Sequence, residues 1–146
     1  MTAKRVLLLN GPNLNLLGWR EPAVYGSATL ADHVAATEAA CRDRGWSLRH
    51  LQSNSEAELV AAIHAARTDV DAIVINPGAF THYSWAIHDA LAAFDGPVIE
   101  VHISQPLSRE SWRHTSVVAP VASGTIAGFG GLGYVLAIDA LGGLVA

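Results

Sequence analysis

Hydrophobic and polar positions switch between two periods along the chain. Arg5 to Leu9 is a short apolar run closed by Asn10-Gly11-Pro12, the pattern of a parallel strand buried on both faces. Leu30 to Arg44 has helical spacing, with Leu30, Val34, Thr37 and Cys41 near one face. Thr29 is placed to cap that helix and Gly45 to stop it. Trp46 to Gln52 alternates and predicts a second, less apolar strand. Ser55-Glu56-Ala57-Glu58 has capping-box spacing and opens a helix carrying Leu59, Val60, Ile63 and Ala66. Ala72 to Ile75 predicts a third strand, ending at Asn76-Pro77-Gly78, and Ser84 to Phe94 a helix with Ile87, Leu91 and Phe94 on its stripe. Val98 to Ile103 reads as a fourth strand, Ser108 to His114 as a short helical turn, and Val117-Val118 as the start of a fifth strand region. A glycine-rich connection from Gly124 leads to a last helix, about Gly133 to Leu141.

Strands separated by helices imply βαβ crossovers and a parallel sheet covered on both faces. The expectation is an α/β, flavodoxin-like, doubly wound five-stranded sheet forming one domain over residues 1–146. No repeat or composition shift divides the chain. Ligands of such sheets bind beyond the carboxyl ends of the strands. Chemistry is therefore sought at Asn10 to Asn13, Asn76 to His82 and Glu100 to Ser104.

Composition adds one constraint and several exclusions. The chain is 51% hydrophobic and only 15% charged over 146 residues, which excludes a disordered chain. Few charges must then cover the large surface of a small domain, so either the core is large or part of the surface faces other copies. Lys+Arg 9 against Asp+Glu 13 gives a net charge of -4, which does not favour a nucleic-acid backbone. The one cysteine, Cys41, cannot form an internal disulfide, as suits a reducing compartment. The run Val6 to Leu9 is too short for a signal-peptide core, and the tail Tyr134 to Ala146 is interrupted by Asp139. The expectation is a soluble cytoplasmic protein.

Three groups of residues suggest chemistry. Glu100 and His102 lie two apart on a strand and share a face, opposite Ile99, Val101 and Ile103. The carboxylate can fix the histidine tautomer and leave its other nitrogen as an acid or base. Spacing admits a structural Glu–His pair equally well. The loop from Asn10 to Gly26 is longer than a plain βα connection of ~2–6 residues. Its Leu14, Leu16, Leu17 and Val24 are expected to anchor it, and Arg20 beside Tyr25 would favour the phenolate. The alternative is an exposed arginine and a packing tyrosine. Asn76-Pro77-Gly78-Ala79 with Thr81-His82-Tyr83-Ser84 ends a strand and opens a helix, which suits an anion. Ser84 alone is explained as an N-cap.

Other patterns lead nowhere. Gly128-Phe129-Gly130-Gly131-Leu132-Gly133 matches G-x-G-x-x-G but is followed by too little chain for a dinucleotide unit. The seven histidines lack metal-ligand spacing. Cys41 falls on a helix stripe and reads as packing.

Taken in order, Leu9-Asn10-Gly11-Pro12-Asn13-Leu14-Asn15-Leu16-Leu17-Gly18, Arg20-Glu21-Pro22 and Tyr25-Gly26 resemble the opening signature of the type II 3-dehydroquinate dehydratases. The resemblance continues through Gln52-Ser53-Asn54, Asn76-Pro77-Gly78-Ala79, Thr81-His82, Glu100 to Ser104, Arg109-Glu110, Arg113, Gly128-Phe129-Gly130 and Gly133-Tyr134. It implies a cofactor-free, metal-free trans-elimination of water from 3-dehydroquinate through an enolate. By the same resemblance, Tyr25 is the base, Arg20 its activator, and Asn13 a stabiliser of the enolate. His102 is the acid, oriented by Glu100. Asn76 with the backbone of Ile103 and Ser104 matches the substrate carboxylate site, and His82 and Arg113 match groups that hold ring hydroxyls. Gly18 to Gly26 matches an active-site lid. Asp89 matches an aspartate that reaches a neighbouring subunit's site, in a homododecamer built as a tetramer of trimers.

The chain departs from the family pattern where Gln105-Pro106-Leu107 follows Ser104, at Trp85, and at Trp19 before the lid arginine. The first of these bears on the placement of Ser104, Arg109 and Arg113. Two other readings compete: a non-catalytic flavodoxin-like module binding a nucleotide, flavin or small acid, and a catalytically impaired structural oligomer. The loop after the first strand lacks the Ser/Thr-rich cradle a flavin phosphate needs, and the candidate catalytic side chains are intact.

Overall fold

Parallel pairing joins β1 (Arg5–Asn10), β2 (Ser47–Gln52), β3 (Ala72–Asn76), β4 (Val98–His102) and β5 (Gly124–Ala127) in the spatial order β2-β1-β3-β4-β5. The computed structural model describes residues 3–145; Ala146, the end of the apolar tail, lies outside them. The helices are α1 (Pro22–Tyr25), α2 (Leu30–Asp43), α3 (Glu56–Asp69), α4 (Trp85–Ala92) and α5 (Leu132–Gly142). This is the flavodoxin-like order expected from the alternating pattern. No helix among the described residues is long and apolar enough to cross a membrane.

Strand alternation sorts the core into two layers. Val6, Leu8, Ala72, Val74, Ile99 and Val101 pack with Cys41 of α2 and with Tyr134, Ala137, Ile138 and Leu141 of α5. Leu7, Leu9, Ile73, Ile75 and Val98 pack with Leu59, Ile63 and Ala66 of α3 and Ile87, Ala90 and Leu91 of α4. Each such aliphatic side chain contributes about 1.5–3 kcal/mol when fully removed from water. The Cys41 thiol is pushed up to about 11 by burial, in keeping with a packing role.

The structure corrects several local expectations. The fifth strand is Gly124–Ala127; Val117 and Val118 are buried but irregular, and the Val117 N–H donates to the Thr81 carbonyl. The turn expected at Ser108 to His114 is split into two 3-10 turns, Pro106–Ser108 and Ser111–Arg113. Pro106 starts the first, where its missing N–H costs nothing. Ser55 caps α3 through the Glu58 N–H, but the Glu58 carboxylate accepts from Ser53 instead of closing the box. The reciprocal box belongs to α2, where Thr29 and Asp32 bond each other's backbone. In the long loop Leu14 and Leu17 are buried, whereas Leu16 and Val24 are exposed.

Helical spacing also passed over His33. It is buried on α2 and stacks on Tyr134, with ring centroids 5.7 Å apart. Burial holds its pKa below the ordinary histidine value, which favours the neutral ring. Gly131 makes room for it: a Cβ there would collide with the His33 imidazole, although its φ of -66° suits any residue. Gly131→Ala is expected to cost about 1–3 kcal/mol by overpacking and close to nothing in a His33→Ala background. A double-mutant cycle by urea unfolding measures that coupling.

Candidate active site

Strand order reverses between β1 and β3, and the crevice beyond their carboxyl ends is where this fold places ligands. Asn10 and Asn76 are register partners at that point. Just beyond them the Gly11 N–H donates to the Asn76 carbonyl at 2.8 Å. A Cβ on Gly11 would strike the Pro77 carbonyl, so only glycine lets the two loops approach. The next turn puts Asn13 in the left-handed region, φ 69°. Its N–H donates to Asn54 Oδ1 at 3.0 Å, while Gln52 Nε2 donates to both Asn54 Oδ1 and the Gly11 carbonyl. The Gln52-Ser53-Asn54 segment thus braces the loop that carries Asn13.

A cavity of about 220 Å³ opens at these strand ends. Asn13, Arg20, Tyr25, Asn76, His82, His102, Ile103, Ser104 and Arg113 all line it. Glu100 stands behind His102 with no exposed surface. Asp89 is exposed on α4 and is not part of this lining.

Tyr25 is carried by α1, a single turn between Glu21 (φ 40°) and Gly26 (φ 81°). The Arg20 guanidinium lies 4.7 Å from its ring centroid. A second cation stands in the matched motif Arg109-Glu110, to which the resemblance gives no role. Arg109 Nη1 donates to Tyr25 Oη at 2.8 Å and to Ser104 Oγ at 3.1 Å. Nothing in periodicity marks Arg109, because it reaches Tyr25 across 84 residues from the irregular segment after β4. Pro106 and Trp112 also line the cavity. The Gln105-Pro106-Leu107 departure is therefore compatible with arginine delivery: the turn Pro106–Ser108 ends at Arg109, and Leu107 is exposed. Trp19 and Trp85 are exposed and outside the lining.

Glu100 Oε2 accepts from His102 Nε2 at 2.5 Å, from Thr81 Oγ1 and from Ser116 Oγ. Burial works to raise the carboxyl's pKa, but the hydrogen bond and charge of His102 and the two hydroxyls hold it below its ordinary value. The anion orients His102 with Nε2 inward, so Nδ1 is the ring nitrogen not engaged with Glu100. His82 donates Nδ1–H to the Thr115 carbonyl at 2.8 Å and meets the Trp112 ring edge-on. Burial lowers its pKa, against the opposing pull of the Thr115 carbonyl. Arg113 pairs with Glu110 at 2.6 Å and lies against Trp112. Three arginines and no carboxylate line the cavity among the described residues, a field suited to an anionic ligand.

Comparison with known proteins agrees with this geometry. Residues 4–142 match the family model described as dehydroquinase class II. The chain belongs to the class II dehydroquinase family. It is 53% identical over 136 residues to the 3-dehydroquinate dehydratase of Desulforudis audaxviator, covering 93% of this chain and 91% of that one. Identity is also 53%, with the same coverage, to a catabolic 3-dehydroquinase of Aspergillus clavatus. The crystal structure of the type II dehydroquinase of Butyrivibrio crossotus superposes with a TM-score of 0.94 at 44% identity, covering 96% of this chain and 98% of that one. That of Propionibacterium acnes gives 0.92 at 46%, covering 96% and 97%. Membership in this family accounts for the strand-end motifs together.

The Glu100 carboxyl has an ordinary value of 4.5 and is held lower in the fold. Its contribution to stability is present above the unfolded value and is lost as pH falls through the folded one. Urea unfolding of the wild type is expected to weaken as pH drops below about 4.5, and Glu100→Gln to flatten that limb. An unchanged acid limb in Glu100→Gln would contradict the assignment.

Proposed function

We propose that the chain is a 3-dehydroquinate dehydratase, a hydro-lyase that removes water from 3-dehydroquinate to form 3-dehydroshikimate. The observation that carries this reading is the meeting of Tyr25, Arg20 and Arg109 with the Glu100–His102 pair around one cationic cavity. On this reading Tyr25 Oη, as phenolate, takes the proton alpha to the ketone. Its hydrogen bond from Arg109 is the kind that strengthens as the acceptor becomes charged. The electron pair moves into the carbonyl to give an enolate, whose oxygen is stabilised from the Asn13 loop. His102 then gives a proton to the leaving hydroxyl as the enolate re-forms the ketone, and water departs. Asn76 with the Ile103 and Ser104 backbone takes the substrate carboxylate, and His82 and Arg113 take ring hydroxyls. No step in this sequence calls for a cofactor or metal. The reaction serves aromatic biosynthesis or quinate breakdown alike.

The same proposal includes a single catalytic domain over residues 1–146, with a lid over about 18–26, in the cytoplasm. It also includes a homododecamer of four trimers, in which Asp89 reaches a neighbour's site. The exposure of Asp89, Trp85, Trp112, Leu107 and Phe129 supports a surface that is partly interface.

Purified, chelator-treated protein mixed with 3-dehydroquinate is expected to raise the ultraviolet absorbance of the conjugated enone; no rise over buffer would refute the activity. Tyr25→Phe and His102→Gln are each expected to lower kcat by about 10²–10⁴ while keeping the fold by circular dichroism. Near-wild-type turnover in either removes that residue from its role. Light scattering is expected to show a dodecamer, and a monomer of 15.4 kDa would contradict the assembly.

A further inference from the structure

Asn76 is held from both ends of its amide. The Gly78 N–H donates to its Oδ1 at 3.1 Å, and its Nδ2 donates to Tyr134 Oη at 3.0 Å. A backbone N–H can only donate, so the first bond fixes which way the amide faces. Tyr134 Oη, accepting from Asn76, gives its own proton to Asn10 Oδ1 at 2.5 Å. Asn10 must then turn its Nδ2 toward His50, whose Nε2 stands 3.1 Å away. Each direction forces the next. The last acceptor in the series is therefore an unprotonated His50 Nε2.

The series runs through the interior. Asn10 and Tyr134 have no exposed surface, Asn76 is 3% exposed, and His50 is half-buried on the edge strand β2. The strand register places Leu8 beside His50 and Asn10 beside Asn76, so all three polar side chains share the face covered by α2 and α5. Tyr134 descends onto that face from α5, with His33 stacked on its ring. None of Asn10, Tyr134 or His50 lines the active-site cavity. We infer that Tyr134, Asn10 and His50 act as positioning residues, a one-way hydrogen-bond relay that presents the Asn76 amide to the substrate carboxylate. The inference rests on the carboxylate site assigned above.

Proton uptake at His50 would reverse the relay. A protonated Nε2 donates, which turns Asn10 around, redirects the Tyr134 hydroxyl and opposes the Nδ2 of Asn76. Burial keeps the His50 pKa below the ordinary histidine value, which favours the neutral ring the relay needs. The charged groups around His50 are few. Glu38 of α2 lines the hollow beside it, with Asn15 and Trp19 from the loop. Arg49 and Asp69 flank it at the sheet edge and pair with each other at 3.7 Å.

Long-range ¹H–¹⁵N correlation NMR of the full chain at pH 8 is expected to show His50 neutral with the proton on Nδ1. A proton on Nε2 at that pH would overturn the relay, and this readout needs no turnover, so it stands apart from the dehydratase assignment. Activity supplies the second arm. His50→Leu removes the acceptor and is expected to raise KM about tenfold at pH 8, with kcat changed far less. His50→Gln keeps an acceptor and is expected to restore KM. In the wild type KM rises as pH falls through the His50 ionisation, and that rise is absent in His50→Gln. Equal KM in all three proteins across the pH range would overturn the proposal, as would a loss confined to kcat.

Discussion

The site depends on burying one carboxylate. Glu100 has no exposed surface, and an ion there is costly unless every lone pair is engaged. Its partners come from three places: His102 on the same strand, Thr81 in the turn after β3, and Ser116 in the irregular segment before β5. Ser116 also accepts the N–H groups of Val118 and Ala119. Satisfying the charge therefore folds the segment between β4 and β5 onto the strand ends. That segment brings Arg109 to Tyr25 and Arg113 to the rim. Bonds from the Val117 N–H to the Thr81 carbonyl and from His82 to the Thr115 carbonyl hold the same segment from its other side.

The close approach of the loops after β1 and β3 is the companion constraint. Gly11 touches Pro77 backbone on one side and Gly78 approaches Pro12 on the other. The two loops interlock there; Asn13 is set by the backbone of its turn and its N–H bond to Asn54, and Asn76 by the bonds of its amide to Gly78 and Tyr134. Rigid strand ends supply one wall of the cavity. Tyr25, from the largely exposed helical turn Pro22–Tyr25, faces it together with Arg109, Trp112 and Arg113 of the segment after β4.

Much of this was legible from residues. The sheet was readable because β1 and β3 are continuous apolar runs, and period-2 alternation put Glu100 and His102 on one face. The fifth strand was misplaced because Gly124–Ala127 is a short edge strand with little apolar signal, while Val117 and Val118 are buried without pairing in the sheet. Arg109 falls in a matched motif, but its contact with Tyr25, from a 3-10 segment 84 residues away, leaves no periodic trace. Asn10 and Tyr134 fall in matched motifs and His50 on an alternating strand, and only the strand register and α5 packing join the three. The matched motif Gln52-Ser53-Asn54 showed no role until its bonds to the Asn13 loop were visible.

The sheet's two faces have a stereochemical consequence. Tyr25 packs against the layer of α2 and α5, whereas Glu100 and His102 follow the alternation of Val98 toward the layer of α3 and α4. On the dehydratase reading proposed above, a ring seated across the strand ends is approached by its base, Tyr25, from one layer and by its acid, His102, from the other. The C–H and C–O bonds that break would then point to opposite sides of the ring, an antarafacial geometry that follows from Tyr25 standing on one layer of the sheet and the pleat of β4 turning His102 to the other.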